Sequence, residues 1–285
     1  MISPRPRQDL ALDLTLPSLP AASLQGGAPS PLTALQDPAR GAVVLGDLLD
    51  GTVDGVVTSA CRIPEAPGEL LIQRTVGLGD RRDVVLGAEH PLSRLTAGAE
   101  VVAPDLRSVA LLRAHHPELV PLRRNAGTAK VCRDGASAEA PPEIRPLWPD
   151  PTVESAGELL EPDSWLPAPG QGVAVLVYAP EAGHRFRDVI LDPGADAVLR
   201  AERAVGRAFP FAVPLVRAQL FGEWLSVHGV VLAPTADRVV RARVRGDRAD
   251  PVGVGERLVE LLVARGADLL RPPEWTDRVP RTVAP

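Results

Sequence analysis

Leu166-Pro167-Ala168-Pro169-Gly170-Gln171-Gly172-Val173-Ala174-Val175 is the stretch on which the fold turns. Two glycines flank a glutamine, and the aliphatic run Val173 to Val177 follows. A short apolar run of this kind predicts a buried strand. Ahead of it, the glycines permit close backbone approach, and the glutamine supplies both a donor and an acceptor. Together they read as a crossing strand that borders a ligand cleft.

Working outward from that crossing, strand and helix signals alternate. Upstream, Val43–Leu49 predicts a helix and Gly55–Thr58 a buried strand. Leu70–Gln73 and Asp83–Leu86 are further strand candidates, with the polar Gly79-Asp80-Arg81-Arg82 between them. Glu100–Ala103 predicts a strand, and Leu106–Arg113 a helix with Leu106, Val109, Ala110 and Leu112 turned inward. Glu118–Leu122 is another short strand. In residues 135–150, Pro141, Pro142, Pro146 and Pro149 argue for loop and against a central strand. Residues 1–40 are irregular apart from the alternation at Leu10–Leu16. Downstream, Ala197–Gly206 predicts a helix, and Leu225–Val231 and Val239–Val244 predict strands. A closing helix, Gly255–Ala264, has Leu258, Leu261 and Leu262 as its inner face and Gly266 as its C-terminal cap. The end of the chain therefore reads as a small α+β unit.

Composition narrows the class. A chain of 285 residues with 45% hydrophobic and 24% charged residues is ordinary for a globular protein of two or three domains. No run approaches the roughly 20 apolar residues that span a bilayer. The first residues carry arginines with no apolar stretch behind them, so no signal peptide is expected and the cytoplasm is the expected location. A formal charge of −5 argues against a general nucleic-acid binder. Of the basic residues only Lys130 is a lysine. Cys61 and Cys132 form no C-x-x-C pair, and the adjacent His115 and His116 make no zinc site by themselves, so no metal is expected.

Beyond these signals, the crossing segment closely resembles the one that returns from the second to the first domain in the hydroxymethylbilane synthase (porphobilinogen deaminase) family. Other segments agree in order. Asp54 to Pro64 is similar to the family's Asp-x-Ala-Val-His-Ser-x-Lys-Asp-x-Pro, and Asp80-Arg81-Arg82-Asp83 to its Asp-Pro-Arg-Asp. Leu106-Arg107-Ser108 falls on its Ser-Ser-Leu-Arg-Arg, and Leu122 to Ala129 on its Arg-Gly-Asn-x-x-Thr-Arg. Ala201-Glu202-Arg203-Ala204 resembles the helix leading into its third domain, and Gly266 to Leu270 its end. The resemblance covers about residues 41–270. It implies two periplasmic-binding-like α/β domains around a cleft plus a small α+β third domain. The implied spans are 1–95 with 173–192, then 96–170 with a degenerate part at 135–150, then 195–275. The family joins four porphobilinogen molecules head to tail on a dipyrromethane primer bound to a third-domain cysteine.

Position by position, the chain departs from that pattern. Where the family has Gly-Gly-Cys-x-Val-Pro, this sequence has Ala208-Phe209-Pro210-Phe211-Ala212-Val213-Pro214, so Phe211 takes the cysteine's place. A phenyl ring forms no thioether, and the dipyrromethane cofactor is expected to be absent. The aspartate that stabilises a cationic intermediate falls on Arg62, and the lysine before it on Cys61. Ser108 and Ala129 stand where arginines are expected, and Val102-Ala103-Pro104-Asp105 replaces a Gly-Thr-Ser-Ser loop. Ser59, Arg62, Arg81, Arg82, Arg107, Arg123, Thr128 and Gln171 are the remaining candidates for lining the cleft.

Each candidate also has a plain reading. Cys61 is a small buried hydrophobe, a reactive thiol or a partner for Cys132. The arginines are solvated surface, or a shared anion site for which their common mapping argues. Gln171 supports the backbone of the crossing more readily than it touches a ligand, and Phe211 packs in a core. Three functions follow. The first is a family member without deaminase activity that binds an anionic small molecule or a protein partner. The second is a transferase acting on porphobilinogen, another pyrrole or a small acid, with Cys61 as its weak catalytic candidate. The third is a working synthase. The sequence leaves the oligomeric state open.

Overall fold

The computed structural model describes residues 32–34, 48, 54–63, 71–123, 141–146, 157–233 and 235–270. These residues form an α/β fold with three sheets. The chain divides into two compact units: the first holds the described residues up to Arg81, Pro146, and those from Gly170 to Asp196, and the second holds the others.

The first unit is built on a four-stranded sheet. Its strands are β1 (Leu32–Ala34), β2 (Gly55–Ser59), β3 (Ile72–Leu78) and, from much later in the chain, β9 (Val173–Tyr178), in the order β1-β2-β9-β3. Every residue of β9 is buried, and the strand runs antiparallel to both β2 and β3. A continuous aliphatic run is what a strand buried on both faces requires. Val57, Val76, Leu176, Tyr178 and Phe186 form the core on one side. Gly55 leaves room for the Phe186 ring, which a Cβ would approach to 2.5 Å. β1 pairs in parallel with β2 inside the stretch expected to be irregular. Three residues are too few to show a period. The expected helix at Val43–Leu49 and the alternation at Leu10–Leu16 lie outside the described residues, apart from Leu48.

The second unit carries two sheets. The first combines β4 (Asp83–Leu86), β5 (Glu100–Ala103), β6 (Val120–Arg123), β7 (Glu143–Pro146) and β8 (Gly157–Leu160) in the order β6-β5-β7-β4-β8. Asp83–Leu86 therefore pairs with β8, although the sequence groups it with the first domain. β7 is a correction to the expected loop at 135–150, since it lies in the middle of this sheet and its Ile144 is fully buried. Two of the prolines fit the strand: Pro146 closes it, and Pro142, just before it, accepts Val102 N–H through its carbonyl at 2.7 Å. Helix α1 (Leu106–His115) packs Val109, Leu111 and Leu112 into the same core as Val101, Ile144 and Trp165. Leu106 is half exposed rather than inward, because the first turn buries Arg107 instead.

The other sheet is antiparallel: β10 (Val213–Phe221), β11 (Trp224–Leu232) and β12 (Val239–Asp247), in that order. Sequence reading finds only its last two strands. Helix α2 (Pro193–Ala208) precedes it, and Glu202 on that helix accepts Ala218 N–H at 2.8 Å while fully buried. Helix α3 (Pro251–Ala264) covers one face, with Leu258 and Leu262 buried over Gly229, where a Cβ would lie 2.9 Å from Leu258. Leu261, expected inward, is 39% exposed. An i, i+4 pair suffices to meet a flat sheet, and the neighbouring position points away. Gly266 follows α3 with φ +89 and donates to the Val263 carbonyl, as a left-handed helix terminator does.

Candidate functional site

In the first unit, the candidates converge on the crossing segment. β2 ends at Ser59, which is 2% exposed, and the chain breaks into a single helical turn, Ala60–Arg62. The Ser59 hydroxyl donates to the Gly170 carbonyl oxygen at 3.2 Å and accepts the Gly172 N–H at 3.1 Å. Its Oγ also lies 3.2 Å from Cys61 Sγ. Gly172 has φ +72, and a Cβ on it would come within 2.5 Å of the Asp80 carbonyl oxygen, so only glycine fits. From the other side, Gly79 N–H donates to the Gly172 carbonyl at 2.7 Å. Arg81 Nε donates to the Gln171 carbonyl, and Gln171 Nε2 donates to the Arg81 carbonyl, each at 3.0 Å. Ser59, Arg81 and Gln171 thus all help to position the crossing.

Cys61 departs from its bland reading, for it is exposed and not a buried hydrophobe. The break of β2 into one turn is what carries its thiol outward. Arg62, next on that turn, is partly exposed. A solvent-reachable sulfur beside a guanidinium-bearing residue can act as a nucleophile when ionised. Cys132, its proposed partner, lies outside the described residues.

In the second unit, Arg107 is buried, and its guanidinium is committed to the interior. One terminal nitrogen pairs with the Asp83 carboxylate, and the other donates to the Leu166 carbonyl at 3.1 Å. Trp165 Nε1 donates to the same Asp83 oxygen at 2.8 Å. The charge of Arg107 is thus paired inside the protein by Asp83. Asp83 and Trp165 were not singled out by sequence reasoning. The one available signal was Asp83 closing the Asp-x-Arg-Asp segment. Asp105, the last residue of the stretch that replaces the family's Gly-Thr-Ser-Ser loop, caps α1 by accepting Ser108 N–H at 2.7 Å. A carboxylate thereby satisfies the helix N-terminus from within the chain.

Arg82 is partly exposed. Arg123 ends β6, with its backbone in register with Ala103. Thr128 lies outside the described residues. Phe211 is 8% exposed and meets Phe209 edge-on, ring centroids 6.2 Å apart. Among the described residues no group of His, Cys, Asp and Glu could hold a metal ion, and no helix is long and apolar enough to cross a membrane.

Three sheets with flanking helices, and a fully buried strand returned through a Gly-Gln-Gly crossing, define a multi-sheet α/β protein of the kind the resemblance implies. Searched against protein-family models, the sequence matches none. Individual relatives are informative. The chain is 34% identical over 243 residues to a porphobilinogen deaminase of Bordetella parapertussis, covering 78% of this chain and 74% of that one. It is 32% identical over 233 residues to a porphobilinogen deaminase of Xanthomonas oryzae pv. oryzae, covering 77% and 76%. With a porphobilinogen deaminase of Roseiflexus sp. it shares 31% over 256 residues, covering 84% and 82%. The chain belongs to the porphobilinogen deaminase family.

Proposed function

We propose that this chain is a member of the family without deaminase activity, working by binding an anionic ligand or by partnership with another protein. The observation that carries this reading is Phe211. It stands where the resemblance puts the primer-bearing cysteine, and its side chain is buried edge-on against Phe209. A packed phenyl ring offers no nucleophile and no opening for one. Arg62 supports the same reading, because a cation beside a developing cationic intermediate raises its energy. Arg62 and Arg82, both partly exposed, are the candidate contacts for an anion. The organisation that goes with the proposal is two periplasmic-binding-like α/β domains and a small α+β third domain at 195–275, in a cytoplasmic protein.

The exposed thiol of Cys61 favours a second reading, a transferase that acts on porphobilinogen, another pyrrole or a small acid. Intact-mass spectrometry of the purified chain, with an assay of porphobilinogen consumption, separates them. The polypeptide mass alone and no consumption are expected. An adduct of dipyrromethane mass together with turnover overturns the proposal. Consumption that is lost in Cys61→Ser, without such an adduct, favours the transferase.

A further inference from the structure

The three-stranded sheet of the second unit has two unlike faces. Gly229 and Gly246 point at α3, where Cβ atoms would meet Leu258 and Val254. Side chains alternate across a strand, so on β12 the residues Arg241, Arg243 and Arg245 project from the opposite face. All three are exposed. Part of that face is covered, since Leu215 and Val230 join the core around Trp165. The rest is open.

Register places the basic groups together. His228 on β11 stands between Arg217 on β10 and Arg243 on β12. Further along, Phe221 pairs with Trp224 at the β10–β11 hairpin, and both are exposed, at 55% and 50%. The Arg245 guanidinium lies over the Trp224 ring, 4.8 Å from its centroid. Arg217 is matched by Asp163. Among the described residues, no ion pair neutralises Arg241, Arg243 or Arg245.

We infer that this face docks an acidic polypeptide segment of a partner protein, its carboxylates on Arg241, Arg243 and Arg245 and an apolar side chain against Trp224 and Phe221. Alternate residues of a strand repeat every ~6.6–6.8 Å, so the stripe spans only about 13 Å. Two or three carboxylates fill it by paired guanidinium contacts. A nucleic acid needs a longer basic track, and the net charge of −5 opposes one. Arginines on an edge strand also deter sheet-to-sheet pairing. That purpose alone would not set two exposed aromatic rings beside them, whereas Trp, Phe and Arg together are the residues that anchor protein interfaces. Neither Phe211 nor Arg62 is among the residues of this surface, so the inference holds whether or not porphobilinogen is consumed.

Fluorescence anisotropy with the full chain tests it, using a labelled ten-residue peptide of alternating glutamate and serine that carries one leucine. Matched probes are the same peptide with glutamine for glutamate and a thymidine oligonucleotide. Binding of the acidic peptide alone, weakening as salt rises, is expected. The triple variant R241Q/R243Q/R245Q loses about ten-fold or more in affinity, the single variant Arg243→Gln loses less, and Arg200→Gln on α2 binds as the unaltered chain does. No binding of the acidic peptide, equal binding by the triple variant with its circular dichroism intact, or tighter binding of the oligonucleotide overturns the inference. If the triple variant does not fold, the Arg243→Gln result decides.

Discussion

Arg81 and Gln171 hold one another reciprocally, each side chain donating to the other's backbone carbonyl at 3.0 Å. The chain leaves the first unit just after Arg81, and its last return to that unit begins at Gly170. The pair therefore ties departure to return. Both residues are buried, so neither carbonyl can turn to water when its donor is removed. Gln171→Leu keeps the bulk but removes the donor to the Arg81 carbonyl. An unsatisfied buried acceptor costs about 1–3 kcal/mol. The expected result is a urea midpoint lowered to that extent with the slope unchanged; an unmoved midpoint would show that the pair contributes nothing.

Gly172 imposes a steeper penalty. Its φ of +72 disfavours any side chain, and a Cβ would stand 2.5 Å from a backbone oxygen that cannot swing away. Gly172→Ala is expected to cost about 2 kcal/mol or more. Gly87, with φ +74 and open space around it, supplies the comparison. Gly87→Ala meets only the backbone strain and should lower the thermal midpoint by less.

Asp83 accepts from both Arg107 and Trp165 while only 1% exposed. Removing the carboxylate takes away the nearer acid paired with the buried Arg107, Asp105 standing at 4.0 Å, and breaking a buried pair costs about 3–5 kcal/mol. Asp83→Ala should fall in that range by chemical denaturation. Asp83→Asn keeps an oxygen for Trp165 Nε1 and should lose less. If Asp83→Ala and Asp83→Asn are both within error of the unaltered chain, the pair is not a structural element.

His228 links the open sheet face to pH. Burial lowers its pKa below the usual value of 6.5, and Arg243, Arg241 and Arg217 lower it further while Asp163 opposes them. The folded chain thus binds a proton at His228 less readily than the unfolded chain. The stability this represents is present above the unfolded-state pKa and is lost as pH falls through it towards the lowered folded value. Thermal midpoints measured downward from neutral pH should fall less steeply for His228→Gln than for the unaltered histidine. Parallel profiles would refute this.

Much of the fold was legible where the local signal was self-sufficient. Val173–Tyr178 announces itself because a strand buried on both faces has to be apolar at every position, and Glu100–Ala103 emerges with its boundaries as read. β10 was hidden by Pro214, which is tolerated because β10 is an edge strand. β7 was hidden by prolines that bracket it. In the site, the crossing glycines and Gln171 were readable as backbone chemistry. Their partners were not: Arg81 is held through main-chain carbonyls, which every residue has, and Arg107 finds its carboxylate 24 positions earlier in the chain. Cys61 looked like a core residue because burial was inferred from residue type, whereas a one-turn break after β2 decides its exposure.

Phe211→Cys puts a thiol where the resemblance implies the primer should attach, and it is not expected to restore deaminase activity. The new sulfur would sit in a pocket shaped by the Phe209 ring, at a position only 8% exposed, so a primer would have to displace packing to reach it. Replacing a buried phenyl ring with a small side chain costs about 3 kcal/mol, so some stability is lost as well. Arg62 remains in the variant, and the resemblance implies that its cation stands where the family has a stabilising carboxylate; the loss of one such group commonly costs about 3–4 kcal/mol in the barrier. Phe211→Cys should therefore show its polypeptide mass alone, incubated with porphobilinogen or not, and consume none. The double variant F211C/R62D separates the two obstacles. If it acquires a dipyrromethane adduct and the single variant does not, the charge at Arg62 is the decisive one. Adduct and turnover in Phe211→Cys alone would mean that Arg62 was never an obstacle, and the family's chemistry would then be one substitution away.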